Sequence, residues 1–129
     1  MTRPIFRGLL AAFFFVAGAN HFRDPALYRL MMPPWLPGPG LLIHASGVAE
    51  ILGGVGVLVP AARRFAGWGL IILLAAIFPA NLHMALHSVQ LPGLPVPAWA
   101  LWARLPLQPV LMAWVWWVSL APRRDDRLD

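Results

Sequence analysis

"LLIHASGVAEILGGVGVLV", Leu41 to Val59, is the stretch that decides the fold. Apart from His44, Ser46 and Glu50 its side chains are aliphatic or absent, and the apolar residues cover every face of a helix rather than one stripe. At 1.5 Å per residue it would be about 28 Å long, close to the ~30 Å hydrocarbon core of a bilayer. We read it as a membrane-spanning helix.

Three further apolar runs flank it, giving spans at about 5–21, 41–60, 65–87 and 100–120. The whole chain of 129 residues fits the same reading, because 60% of it is hydrophobic and only 12% is charged, too little to build a water-facing surface. The expected fold is therefore all-α, a single domain over 1–129 built as an integral membrane bundle of four transmembrane helices. The last run is the least regular. Pro106 and Pro109 interrupt "ARLPLQPVLMAWVWW", which predicts a kinked first turn or a Pro-broken first segment. In the connection "FRDPALYRLMMPPWLPGPG", Leu27, Leu30 and Met31 suit one side of a short helix, while Trp35 and Trp99 suit the lipid interface. "MTRPIFRGLLAAFFFVAGAN" also has the basic start, apolar core and Ala17-x-Ala19 of a signal peptide, but we read it as a retained first span.

The net charge of +5 comes from arginine alone. Arg3, Arg7, Arg63 and Arg64, together with Arg123, Arg124 and Arg127, fall on one side of a four-span chain, whereas Arg23, Arg29 and Arg104 fall on the other. The positive-inside rule then gives N-in and C-in. Arginines at the ends of apolar runs do not form a nucleic-acid patch, so no nucleic-acid partner is expected, and lipid is. The chain has no cysteine, which excludes disulfides, iron–sulfur ligation and thiol catalysis. Neither a phosphate-binding glycine loop nor a hydrolase triad is visible.

Placed by depth, the polar residues gather in the outer half of the expected bundle. Asn20 and His21 end the first span; His44, Ser46 and Glu50 lie in the first half of the second. Asn81, His83 and His87 lie near the end of the third, and Arg104 and Gln108 near the start of the fourth. Glu50 is the deepest, about 13 Å below Leu41. An ionisable group there is costly, on the order of 3 kcal/mol by insertion scales, and needs an interior partner. Arg104, His21, His83, Asn20 and Asn81 are the candidates; whether Glu50 is charged and paired or neutral and donating stays open at this point. Ala45, Ala49 and Gly53 form a small-residue row beside it, expected to let a neighbouring helix approach.

His83 and His87 have helical ligand spacing, a weak metal signal; hydrogen bonding between helices is the commoner use of such imidazoles. Haem held between His21 and His83 is disfavoured, since both would have to sit at one depth across a wide gap. A Glu–His acid–base pair serving quinone or quinol chemistry remains open, as does a network that only fixes helix packing.

The segments "AGANHFRDPALYRLMMPPWLP", "SGVAEILGGVGVLVPAARRFAGWGLIILLAAIFPANLHMAL" and "LPLQPVLMAWVWW" resemble the DoxX-like family of small bacterial four-helix integral membrane proteins. The resemblance runs from about Gly8 to Trp117, with His21, Glu50, Asn81 and His83 at its motif positions. It implies the bacterial inner (cytoplasmic) membrane and, from relatives associated with thiosulfate:quinone or quinol oxidation and oxidative-stress complexes, an accessory or quinone-linked subunit with redox partner subunits. No catalytic residue is carried over. Two alternatives stay open: a structural or assembly protein without ligand, and a small-molecule carrier or lipid-modifying enzyme. The last requires a cavity from the outer face to Glu50. A homodimer is compatible with all three.

Overall fold

The structure, a computed structural model, describes residues 2–93 and 96–122. These residues are all-helical, with α1 (Thr2–Arg23), α2 (Pro25–Met31), α3 (Pro39–Leu58), α4 (Arg63–Leu86) and α5 (Ala98–Ser119). Three of the helices, α1, α3 and α4, are long and apolar enough to cross a membrane. Arg123, Arg124 and Arg127 lie outside the described residues, so their part in the charge asymmetry has no structural counterpart.

The long helices pack in the order α1, α3, α4, α5, with a lesser contact from α5 back to α1. Leu10, Phe14, Val57, Leu70, Leu74, Val115 and Val118 fill the space between them. Their outward faces are apolar as well. Leu41 is 76% and Phe65 87% exposed, with Ile5, Phe15, Leu52 and Ile72 also uncovered. In water such a surface would be unstable, whereas lipid accepts it.

The tightest seam joins α1 to α3 through glycine. A Cβ on Gly18 would come within 2.6 Å of the Gly47 carbonyl oxygen, and one on Gly47 within 2.8 Å of the His21 Cβ. Gly54 meets Ala11 and Phe14 on the same helix. This corrects the expected contact row: Ala45 and Ala49 are exposed, and of that row only Gly53 packs, against Leu70 of α4. The close approach uses the neighbouring glycine face instead.

Two prolines did not break α5. The helix starts at Ala98, so that Pro106 and Pro109 lie inside a continuous segment rather than at its broken start. Each removes one ladder donor, and both prolines lie on the exposed side of the helix. In α4, Pro79 likewise sits inside the helix, where it leaves the Ala75 carbonyl without its ladder donor.

Several arginines have a use beyond charge. Arg7 donates through Nε and Nη2 to the Val118 carbonyl at 3.0 and 2.8 Å, and Arg3 to those of Ala121 and Pro122. Arg63 donates to the Val57 and Leu58 carbonyls at 2.9 and 3.4 Å. They satisfy the last carbonyls of α5 and α3, where a helix end carries partial negative charge.

At the other end of the molecule Asp24 alone separates α1 from α2, and its side chain caps α2 by accepting from the Leu27 N–H at 3.3 Å. Pro25 at the first helical position suits that cap. The short helix leans on α1, α3 and α4. It forms where the Leu27, Leu30, Met31 pattern predicts one.

Candidate functional site

The glycine seam fixes where the polar residues of α1 and α3 meet. With Gly18 against Gly47, His21 one turn further along α1 reaches both Ser46 and Glu50. His21 Nδ1–H donates to the Ile43 carbonyl at 2.9 Å and contacts Ser46 Oγ at 3.1 Å, while Ser46 Oγ donates to the same carbonyl at 2.9 Å. A carbonyl only accepts, so this contact requires the proton on Nδ1. His21 Nε2 is thereby turned to Glu50 Oε2, 3.2 Å away. Both residues are buried, at 7% and 6% exposure.

The two stand at ion-pair distance, and His21 is the polar group that faces the buried Glu50 Oε2. Of the five candidate partners of Glu50, the structure selects His21. Tyr28 of α2 covers the imidazole, its ring stacked 4.1 Å from that of His21. Burial, and then the nearby Glu50, push the Tyr28 phenol up from its ordinary value against a smaller lowering by Arg104, so its hydroxyl remains a donor.

A second polar pair joins α4 to α5. Asn81 Nδ2 donates to Gln108 Oε1 at 2.9 Å, and Gln108 Nε2 donates to the Leu74 carbonyl. Gln108 is buried, which makes it a bridge between the two helices beside the Pro79 interruption.

Between the two pairs lies a half-open cavity of about 830 Å³. Phe13, Phe14, Leu73, Ile77, Leu107 and Leu111 make its walls apolar, and Met31, Met32 and Leu36 of the α2 region cover one side. Into it face Glu50, His21, Ser46, Tyr28, Asn81, Gln108 and Arg104. Ala45 and Ala49, expected at a helix contact, line this space, where small side chains leave room. Few polar groups in a large apolar pocket is the usual composition of a small-molecule site.

The sequence profile of a family described as a domain of unknown function (DUF8561) matches residues 10–119. The chain belongs to that family. No curated protein and no solved structure matches it. The DUF8561 match spans every cavity residue from Phe13 to Leu111, whereas Arg3 and Arg7, which cap α5, precede it.

Other expected members of the polar layer stand apart in this DUF8561 chain. Asn20 and His44 are exposed, the latter stacked on Phe22 at 5.4 Å. His83 faces His87, ring centres 4.3 Å apart, and His87 Nδ1 lies 3.0 Å from the His83 carbonyl. Neither is near Glu50's wall of the cavity, and among the described residues no group of three or more His, Asp or Glu side chains is placed to hold a metal. Arg104 is exposed, with Nη1 3.4 Å from Met84 Sδ. The expected single layer is thus two separate pairs facing one cavity.

Tyr28 was not among the sequence-derived candidates. Its signal was available as the one tyrosine in the chain, an aromatic ring with a polar tip on the short helix that packs over the bundle.

The α4–α5 pair gives a direct test. Gln108→Leu keeps the volume roughly constant but removes the acceptor of the Asn81 amide and the additional hydrogen bond to the Leu74 carbonyl, so unfolding in mixed micelles should come earlier by about 1–3 kcal/mol. Leu107→Ala, on the neighbouring but exposed position, should cost less.

Proposed function

We propose that the chain is a DoxX-like protein of the bacterial inner membrane that binds a quinone-class ligand, as an accessory or quinone-linked subunit of a redox or oxidative-stress system. In this reading α5 is the fourth span, both termini lie on the cytoplasmic side, and the cavity opens in the outer half. The supporting facts are the arginines at the inner helix ends, Arg3, Arg7, Arg63 and Arg64, and the resemblance around His21, Glu50, Asn81 and His83. The observation that carries it is the buried Glu50–His21 pair, 3.2 Å apart, on the wall of an apolar cavity of about 830 Å³. A volume of that size accommodates a substituted aromatic ring and the start of an isoprenoid tail.

The test is extraction of the protein from membranes in a mild detergent, followed by mass spectrometry of the bound small molecules, counting quinone and quinol together. Stoichiometric quinone in the parent and its loss in Glu50→Gln are expected. Absence of quinone from the parent, or equal amounts in both, overturns the proposal.

A second reading rests on different contacts. His21 with Ile43 and Ser46 ties α1 to α3, and Asn81 with Gln108 ties α4 to α5, as an assembly protein without ligand would require. The cavity favours the first reading, since a network that only locked the helices together would need no open space beside the Glu50–His21 pair.

A further inference from the structure

We propose that the gap between α3 and α4 in the outer half of the bundle is where the ligand's hydrocarbon tail leaves the cavity for the bilayer. The inference rests on the quinone-class reading above and adds how such a ligand is seated, with its head enclosed and its tail in lipid.

A cavity of about 830 Å³ takes the ring and the start of the tail, so the rest of an isoprenoid chain has to pass between two helices. Two of the four seams are closed. Between α1 and α3, Gly18 and Gly47 bring the backbones together, and between α4 and α5, Gln108 bonds to both Asn81 and the Leu74 carbonyl. The α2 region lies against the outer end, where Met31 packs with Met84, Ala85 and Leu101. The α3–α4 and α1–α5 seams are left.

The α3–α4 seam closes at its inner end, where Gly53 and Gly56 of α3 pack against Leu70 and Ala66 of α4. Ala49 and Ala45 continue the Gly53 row outwards at helical spacing, yet both are exposed, as is Ala76 of α4. All three line the cavity, and so does Ala80, one turn beyond Ala76. Helices in contact at this depth would bury those methyl groups. Reaching the surface while lining the cavity, they form the rim of an opening. Ala49 lies at the middle of α3, so in the membrane reading the opening faces the hydrocarbon core rather than the headgroups. It is also the sequence neighbour of Glu50, which puts the rim beside the polar pair that the head would face.

The α1–α5 seam differs in bulk. At its inner end Phe6 packs edge-on against Trp114 and Trp117, and further out Phe13, Leu107 and Leu111 line the cavity. Phe13 and Leu107 reach the surface as well. Side chains that end at Cβ leave more room between backbones than phenyl and isobutyl groups do, so the tail takes the alanine side.

The experiment uses a benzoquinone with a decyl tail that carries a diazirine midway along it, irradiated with the purified full chain in lipid–detergent micelles. Cross-linked residues are read by peptide mass spectrometry, with and without an excess of tetramethylbenzoquinone, which has the head but no tail. Cross-links that this competitor removes are expected on α3 and α4, around Ala45, Ala49, Ala76 and Ala80. Displaceable cross-links on α1 and α5, on α2, or evenly on all helices overturn the exit while leaving a quinone-class site in place. If no cross-link is displaceable, the reading beneath it falls as well. A variant supplies the second measurement. Ala49→Phe sets a ring in the gap and should bind the decyl-tailed quinone at least about tenfold more weakly than the parent, with the tail-less quinone bound alike by both. Unchanged affinity for the tailed probe, or equal weakening of both probes, overturns the exit.

Discussion

Gly18→Val is expected to be among the most damaging single substitutions in the α1–α3 seam. Even the first added carbon would stand 2.6 Å from the Gly47 carbonyl oxygen, 2.7 Å from Ile51 Cγ1 and 3.1 Å from Glu50 Cβ. The nearest of these atoms is backbone and cannot swing away, so the helices must separate. Overpacking usually costs about 1–3 kcal/mol, and a forced separation of two backbones belongs at or above the top of that range. The consequence extends beyond stability, because His21 meets Ser46 and Glu50 only while the seam is closed. Reduced thermal midpoint in detergent and loss of any ligand bound at Glu50 should appear together. Gly8→Val, on the same helix with nothing within 4 Å of an added Cβ, is the control and should change neither. Equal effects of the two substitutions would show that helix propensity, not the seam, sets the cost.

The seam also marks the limit of what the sequence discloses. Apolar length located the helices to within a few residues, since lipid demands length and apolarity regardless of partners. Glu50 was legible as a buried residue because an ionisable group amid aliphatic ones has few tolerable surroundings. The face it uses was not. Alanine and glycine rows on α3 look equally suited to close packing, and only the position of Gly18 on α1 decides that Gly47 and Gly54 make the contact while Ala45 and Ala49 line the cavity. Depth alone likewise grouped Asn20, His44, His83 and His87 with Glu50. Azimuth around each helix separates them, and azimuth depends on tertiary packing. The prolines of α5 misled as well: each removes one ladder donor on the exposed side of the helix, and α5 runs on through both.

His21→Leu is the other substitution with a large expected effect, and its meaning comes from combination with Glu50→Leu. Removing one member of a buried pair leaves the other without compensation, typically at about 3–5 kcal/mol. His21→Leu should be the worse of the two singles, because it also abandons the Ile43 carbonyl, the contact with Ser46 and the stack on Tyr28. The double variant, His21→Leu with Glu50→Leu, replaces the pair by apolar groups in an apolar surrounding and should recover most of the loss, giving a coupling energy towards ~3 kcal/mol in equilibrium unfolding. Additive losses would mean that the two side chains do not act as a pair. Recovery of stability in the double variant separates the two roles of this corner. A folded bundle without Glu50 and His21 keeps the helix contacts that an assembly protein needs, so persistence of cellular function would assign the pair to packing. Loss of function in a protein that is as stable as its parent would instead place the requirement on the acceptor that Glu50 turns towards the cavity.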